Sequence, residues 1–205
     1  MTPLAVYRDD GPLATWLGRT VGRALPLGEV PLTLIGALAP VAVLVAPARS
    51  LSPALAGLAA LALVLAAGAA SGRAQPGRFA WTAPPLLRLL EYALLIKITV
   101  LADPEAMPLC YALLAALAFH HYDAVYRLRH QRVAPPAWTR AVGGGWDGRI
   151  LLAAVLALAG VLDVALLAGA VVLGAVYVAE SVRSWLAFGR AERPSLYEDE
   201  DVQDA

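Results

Sequence analysis

The chain is short of the groups that keep soluble proteins in water. Only 16% of its 205 residues are charged, against about 25% in an ordinary soluble domain. It has one lysine, Lys97, and no asparagine. Its single cysteine, Cys110, excludes an intrachain disulfide and a multi-cysteine metal centre. No internal repeat and no soluble domain stand out along the chain. Arg8, Asp9 and Asp10 precede any apolar run, so a secretory signal peptide is not expected.

What the chain has instead is apolar length. Hydrophobic residues make up 60% of it and the mean hydropathy is +0.65. Stretches such as 51–70 (LSPALAGLAALALVLAAGAA) carry no charge. That length crosses roughly 30 Å of hydrocarbon at about 1.5 Å per residue. The expected fold is an all-α polytopic membrane bundle of six spans near 30–46, 51–70, 84–102, 107–126, 146–160 and 163–186. The last two are divided at Gly160-Val-Leu-Asp163, where Gly suits a helix end and Asp163 an N-cap. Pro40 is expected to kink the first. Residues 12–25 predict an interfacial amphipathic helix, with Leu13, Trp16, Leu17, Thr20, Val21 and Ala24 on one face and Arg19 and Arg23 on the other. The inner segment 127–149, with Pro135-Pro136 and Gly143-Gly144-Gly145, predicts a turn-rich loop.

The expected division is an N-terminal segment over 1–29, a transmembrane domain over 30–188 and a disordered acidic tail over 189–205. Formal charge is zero, but six of the 16 acids fall within the last 14 residues. With both termini cytoplasmic, thirteen arginines lie on the inner side and Arg49 alone on the outer one, a positive-inside pattern. The expected location is the plasma (inner) membrane, and the expected partners are membrane lipids, not nucleic acid. Abundant Ala and Gly suit close helix packing, and with it a homo- or hetero-dimer.

Ionisable residues inside spans are expensive and mark functional sites. On this topology they gather at one depth on the inner side: Arg88 and Glu91, then His120, His121, Asp123, Tyr126 and Arg127, then Asp147 and Arg149, then Glu180 with Arg183. All of these except Arg183 are the candidate headgroup- or phosphate-binding residues. Arg88 and Glu91, three apart, also suit simple mutual neutralisation. Adjacent histidines on a helix point about 100° apart, so one is expected towards headgroups and the other into the bundle. A metal site from His121 and Asp123 would need ligands from other helices, and neither metal nor cofactor is expected. Lys97, deeper in, suits snorkelling outward. The triple glycine lacks the Lys-Ser/Thr ending of a phosphate loop.

Two resemblances attach to particular segments. Tyr7-Arg-Asp-Asp-Gly-Pro12, Phe119-His-His-Tyr-Asp123 with Val125–His130, Gly145-Trp-Asp-Gly-Arg149 and Val178-Ala-Glu-Ser181 resemble an uncharacterised actinobacterial membrane family of unknown function. Its members are often fused behind a CDP-alcohol phosphotransferase domain, which implies a role near phospholipid synthesis. Separately, Ala80–Ala93 is similar to the end of the CDP-alcohol phosphotransferase signature, D-G-x2-A-R-x8-G-x3-D-x3-D, whose aspartates hold divalent metal. Trp81, Arg88, Glu91, Tyr92 and Ala93 match, but the two aspartate positions fall on Ala83 and Leu87. Glu91 is the only carboxylate between Ala48 and Ala102. Divalent-metal phosphoryl transfer needs several hard oxygen ligands. The resemblance therefore implies a pseudoenzyme-like, non-catalytic module, with a CDP-alcohol phosphotransferase as possible partner. The alternatives are a membrane enzyme using His120 or His121 as base on a lipid phosphate, and a transporter component.

Overall fold

A computed structural model describes residues 3–71 and 79–191. Every regular element in it is helical. In chain order these are α1 (Pro3–Arg8), α2 (Pro12–Arg19), α3 (Glu29–Val45), α4 (Pro53–Ala69), α5 (Ala83–Ala102), α6 (Met107–His130), α7 (Ala137–Gly143), α8 (Gly145–Leu158) and α9 (Leu162–Ala191). The acidic tail from 192 onward, and Arg73 and Arg78, lie outside the described residues.

Local chemistry explains the boundaries. Ser52 caps α4 by accepting from the Leu55 N–H at 3.3 Å, and Pro53 occupies the first turn, where its missing N–H costs nothing. Pro84 and Pro85 sit likewise at the start of α5. Gly160 takes φ +73° and separates α8 from α9. Asp163 lies inside the first turn of α9 rather than before it, a position that still favours a carboxylate. Pro40 is contained within α3 and does not end it.

The segment 127–149 is not the loop its composition suggests. α6 continues to His130, and α7 covers Ala137–Gly143. The glycines supply the turn between α7 and α8, with Gly144 at φ +71° and Gly145 at +67°.

Helices α4, α5 and α8 form the centre of the bundle. α3 lies against α4, and α6 pairs with α9 on the other side. Leu63, Leu87, Leu94, Ile98, Leu117 and Ile150 are fully buried between them. The outer faces are also apolar: Leu38 is 69% exposed, and Leu58, Leu152, Val155 and Val171 are exposed too. Contiguous exposed apolar surface of this kind belongs against lipid or protein.

The expectation of six spans holds only in coarser form. Ala137–Leu158 and Leu162–Arg190 are long and apolar enough to cross a membrane. The pair Pro12–Ala24 and Glu29–Val45, bent by 116°, makes a third if it is one broken span. α3 and α4 have 17 residues each, about 25 Å of helix. Arg88, Glu91 and Lys97 charge α5, and three histidines, Asp123, Arg127 and Arg129 dilute α6. The Lys97 ammonium donates to the Ala46 carbonyl just past α3, at 2.8 Å, so it is anchored within the protein.

α2 also differs from expectation. Its small residues Ala14 and Gly18, with Leu17, pack inward, while Leu13, Trp16 and Val21 are exposed. Gly18 approaches the Ser71 carbonyl too closely for a Cβ. The bundle thus takes the face of small residues, and part of the predicted apolar face points away from it.

Candidate functional site: a buried ionic clasp

The site begins where the chain leaves α1. Asp9 adopts φ +50°, a left-handed conformation that Asp tolerates better than most residues. The turn lays Asp9, Asp10 and Gly11 across the start of α8. Two helix ends then complete each other. Gly11 has no capping side chain, so the Asp147 carboxylate supplies one from across the fold. It accepts from the Gly11 N–H at 2.6 Å and the Ala14 N–H at 2.9 Å. In return the Trp146 N–H donates to the Asp9 carbonyl at 3.2 Å. Both interactions satisfy helix N–H groups that have no partner within their own helices. A Cβ on Gly145 would collide with the Gly11 backbone, and one on Gly11 with the Gly144 carbonyl.

The side chains of this segment reach in opposite directions. Asp10 accepts from the Trp146 indole N–H at 2.8 Å, the Ser71 hydroxyl at 2.9 Å and Arg8 Nε at 2.8 Å. Arg8 also donates to Glu29 at 2.6 Å and to the Ala67 carbonyl at 2.9 Å. Asp9 faces the bundle axis. It pairs with Arg149 at 2.8 Å, His121 Nε2 at 3.4 Å and Arg88 at 3.7 Å.

Behind Asp9 lies Glu91, fully buried, held by Arg149 Nε at 2.6 Å and by Arg88. Arg149 also donates to the Gly143 carbonyl at 3.1 Å, and Arg88 to the Arg8 carbonyl. The Tyr92 hydroxyl and His121 Nδ1 are 2.8 Å apart. Three guanidinium groups (Arg8, Arg88, Arg149) therefore meet four carboxylates (Asp9, Asp10, Glu29, Glu91) in one near-neutral network. Burial alone would raise the Asp9 carboxyl, but Arg149, His121 and Arg88 outweigh it and hold Asp9 well below the usual carboxylate range. Burial pulls the Arg8 guanidinium down, and Asp10 and Glu29 more than offset it, so its pKa is raised.

A second cluster joins α6 to α9. Arg127, 1% exposed, grips both oxygens of Glu180, with Nη1 at 2.9 Å, and pairs with Asp123 at 2.7 Å. Such planar two-point pairing is the geometry in which arginine binds carboxylate best. Asp123 accepts in addition from Ser181 at 2.8 Å and the Trp185 indole at 3.2 Å.

The ten residues singled out by sequence therefore divide. Arg88, Glu91, His121 and Arg149 converge on Asp9, and Asp147 sits beside them as a cap. Asp123, Arg127 and Glu180 form the separate second cluster. His120 stacks on Tyr177 with ring centroids 4.0 Å apart. Tyr126 is 40% exposed, stacks on Tyr122 and meets His130 at a tilt. The expectation that one histidine turns outward is not met: His120 is buried, and His121 is only part-exposed and bonded on both ring nitrogens. The mutual neutralisation of Arg88 and Glu91 is real but incomplete as an account, because Arg149 is the third member.

Sequence reasoning missed Arg8, Asp9, Asp10 and Glu29. The signal available was Arg8-Asp9-Asp10-Gly11-Pro12 itself, a charged run ending in a helix start, next to a chain otherwise poor in charge.

A cavity of about 580 Å³ opens beside the clasp, among α1, α5, α6 and the approach to α7. Arg88, His120, His121, Pro135, Pro136 and Arg140 are among its lining residues. Among the described residues no three His, Cys, Asp or Glu side chains come together as a group able to hold a metal ion. Ala83 and Leu87 are buried and apolar.

Among the described residues, fold and site together define an all-helical protein with two helices long and apolar enough to cross a membrane and an ionic centre that the segment Arg8–Gly11 completes. The chain belongs to a family of unknown function (DUF5941), which matches residues 1–201. No curated protein and no solved structure matches it.

Proposed function

We propose that this chain is a non-catalytic membrane module of phospholipid synthesis, which associates with a CDP-alcohol phosphotransferase and presents an anionic-lipid site at the inner leaflet. The observation that carries this reading is the internal pairing of the polar layer. Arg88, Arg127 and Arg149 each hold carboxylates of this same chain, so the layer is committed to holding helices together. The apolar residues at Ala83 and Leu87 support the loss of phosphoryl-transfer chemistry, and the resemblance over Ala80–Ala93 supplies the link to that enzyme class.

In this reading the helices from α3 to α9 form six spans of the plasma membrane, with both termini cytoplasmic. The short α3 and α4 match a locally thinned bilayer. Aromatic asymmetry supports the orientation. Trp16, Trp81 and Trp138 are exposed, and all belong to segments at the clasp end of the bundle, as does Trp185 beside Asp123. Tryptophan favours the membrane–water interface, and arginine the cytoplasmic side of it.

Co-purification from native membranes tests the proposal. A CDP-alcohol phosphotransferase should be retained with the tagged chain, and deletion should alter phospholipid composition. No association together with unchanged lipids refutes it. One observation favours a second reading, an enzyme acting on a lipid phosphate: Tyr92, His121 and Asp9 form a hydrogen-bonded series beside the cavity, an arrangement that suits a general base. Turnover of a lipid phosphate by the purified chain, lost in His121→Gln, is the result that would decide for it.

A further inference from the structure

We infer that the cavity beside the clasp binds one anionic phospholipid, with an acyl chain along its apolar wall and the phosphate at Arg140. This rests on the reading of the clasp end as an inner-leaflet headgroup site, and it gives that site a place and a ligand class. The cavity's size, about 580 Å³, falls within the range of roughly 300–1,000 Å³ typical of small-molecule sites. Its wall is mostly apolar, built from Val6, Trp81, Pro84, Ala124 and Val125.

The charges that line it are unequal in their availability. Asp9 is paired through Oδ2 with Arg149, His121 and Arg88, so its charge is offset within the chain. Arg140, a part-exposed residue of the lining, makes no ion pair among the described residues. An unpaired cation in the lining beside a mostly apolar wall complements an amphiphile with an anionic head. A zwitterionic head would bring a cation towards Arg140, and an anion without acyl chains would leave the apolar wall wet.

Arg140 lies outside the clasp, so its substitution leaves the fold's ionic pairs untouched. The test is native mass spectrometry of the full chain in detergent, titrated separately with phosphatidylglycerol, phosphatidylcholine and glycerol 3-phosphate. Phosphatidylglycerol should be retained one-to-one. Phosphatidylcholine should bind at least tenfold more weakly, and glycerol 3-phosphate should show no retention. Arg140→Gln should weaken phosphatidylglycerol about tenfold, the equivalent of about 1.4 kcal/mol. Ala124→Trp, which fills the cavity, should abolish retention, and Arg129→Gln, at an exposed site on α6, should change nothing.

If phosphatidylglycerol binds equally well to wild type, Arg140→Gln and Ala124→Trp, the cavity is not the site. In that case loss of binding on neutralising Arg129 and Arg132 would leave the headgroup reading standing. If phosphatidylglycerol is held no better than phosphatidylcholine by any form of the chain, the inference and the headgroup reading fall together.

Discussion

Replacing Arg149 by methionine removes the centre of the clasp while keeping a side chain of similar length. The guanidinium makes three bonds, to Glu91 at 2.6 Å, Asp9 at 2.8 Å and the Gly143 carbonyl at 3.1 Å. Methionine leaves Glu91, fully buried, with Arg88 alone, and Asp9 with only its longer partners. Breaking a buried ion pair from one side costs about 3–5 kcal/mol, because the abandoned charge stays desolvated. For a chain of this size that corresponds to a fall in Tm of about 10 °C, read by thermal unfolding in detergent. The double variant Arg149→Met with Glu91→Leu removes both charges and should recover much of the loss, since an apolar pair can replace an ionic one at little cost. A single variant that loses less than about 1 kcal/mol, or a double variant as unstable as the sum of the two singles, would show that the pair is not desolvated and refute the reasoning.

The Asp9 carboxyl gives a pH signature. Its folded pKa lies below the ordinary 3.8, so its stabilising contribution is fully present above about pH 4 and is lost as the pH falls through the lowered value. The stability difference between wild type and Asp9→Asn should therefore be flat from pH 5 to 8 and shrink only in stronger acid, measured as Tm against pH; a difference that already fades near pH 6 would contradict it. Gly145→Ala should destabilise by at least about 1–2 kcal/mol, from its left-handed backbone and its collision with Gly11. Gly148→Ala, with nothing within 4 Å of the added Cβ, should be neutral or gain up to about 1 kcal/mol, and a reversed order in chemical denaturation would refute the close approach. Asp147→Ala should cost about 1–2 kcal/mol through the lost cap of α2 and speed proteolysis near residues 9–20, whereas unchanged cleavage would mean that α2 is held by its packing alone.

The helices were legible in the sequence because each is an apolar run bounded by familiar punctuation. Ser52-Pro53, Pro84-Pro85 and Gly160 all mark real ends. Which residues bring charge into otherwise apolar helices was legible too. Partnership was not. Asp9 and Arg149 are 140 positions apart, and nothing in helical periodicity says which of several charges at one depth will touch. The length of α6 was hidden for a different reason: its last turns, Arg127 to His130, read as a polar loop, yet they are helical because Arg127 has Asp123 and Glu180 to bond.

The pairing also accounts for which segments carry the family resemblance. Tyr7–Pro12 docks on Gly145–Arg149, and Phe119–His130 docks on Val178–Ser181. The motifs are thus two pairs of partners rather than four independent sites. A helical bundle in lipid gains little from burying apolar side chains, because the surrounding acyl chains are as apolar as its core. Close packing of small residues such as Ala14 and Gly18 permits many arrangements of similar energy. Buried polar contacts discriminate among them, since a register shift of one residue would strand Glu91 or Asp9 without its arginine. Specifying the fold is therefore work enough to explain charge held inside a chain so poor in it, and it leaves Arg140, outside both clusters, as a cavity-lining charge whose purpose the fold does not explain.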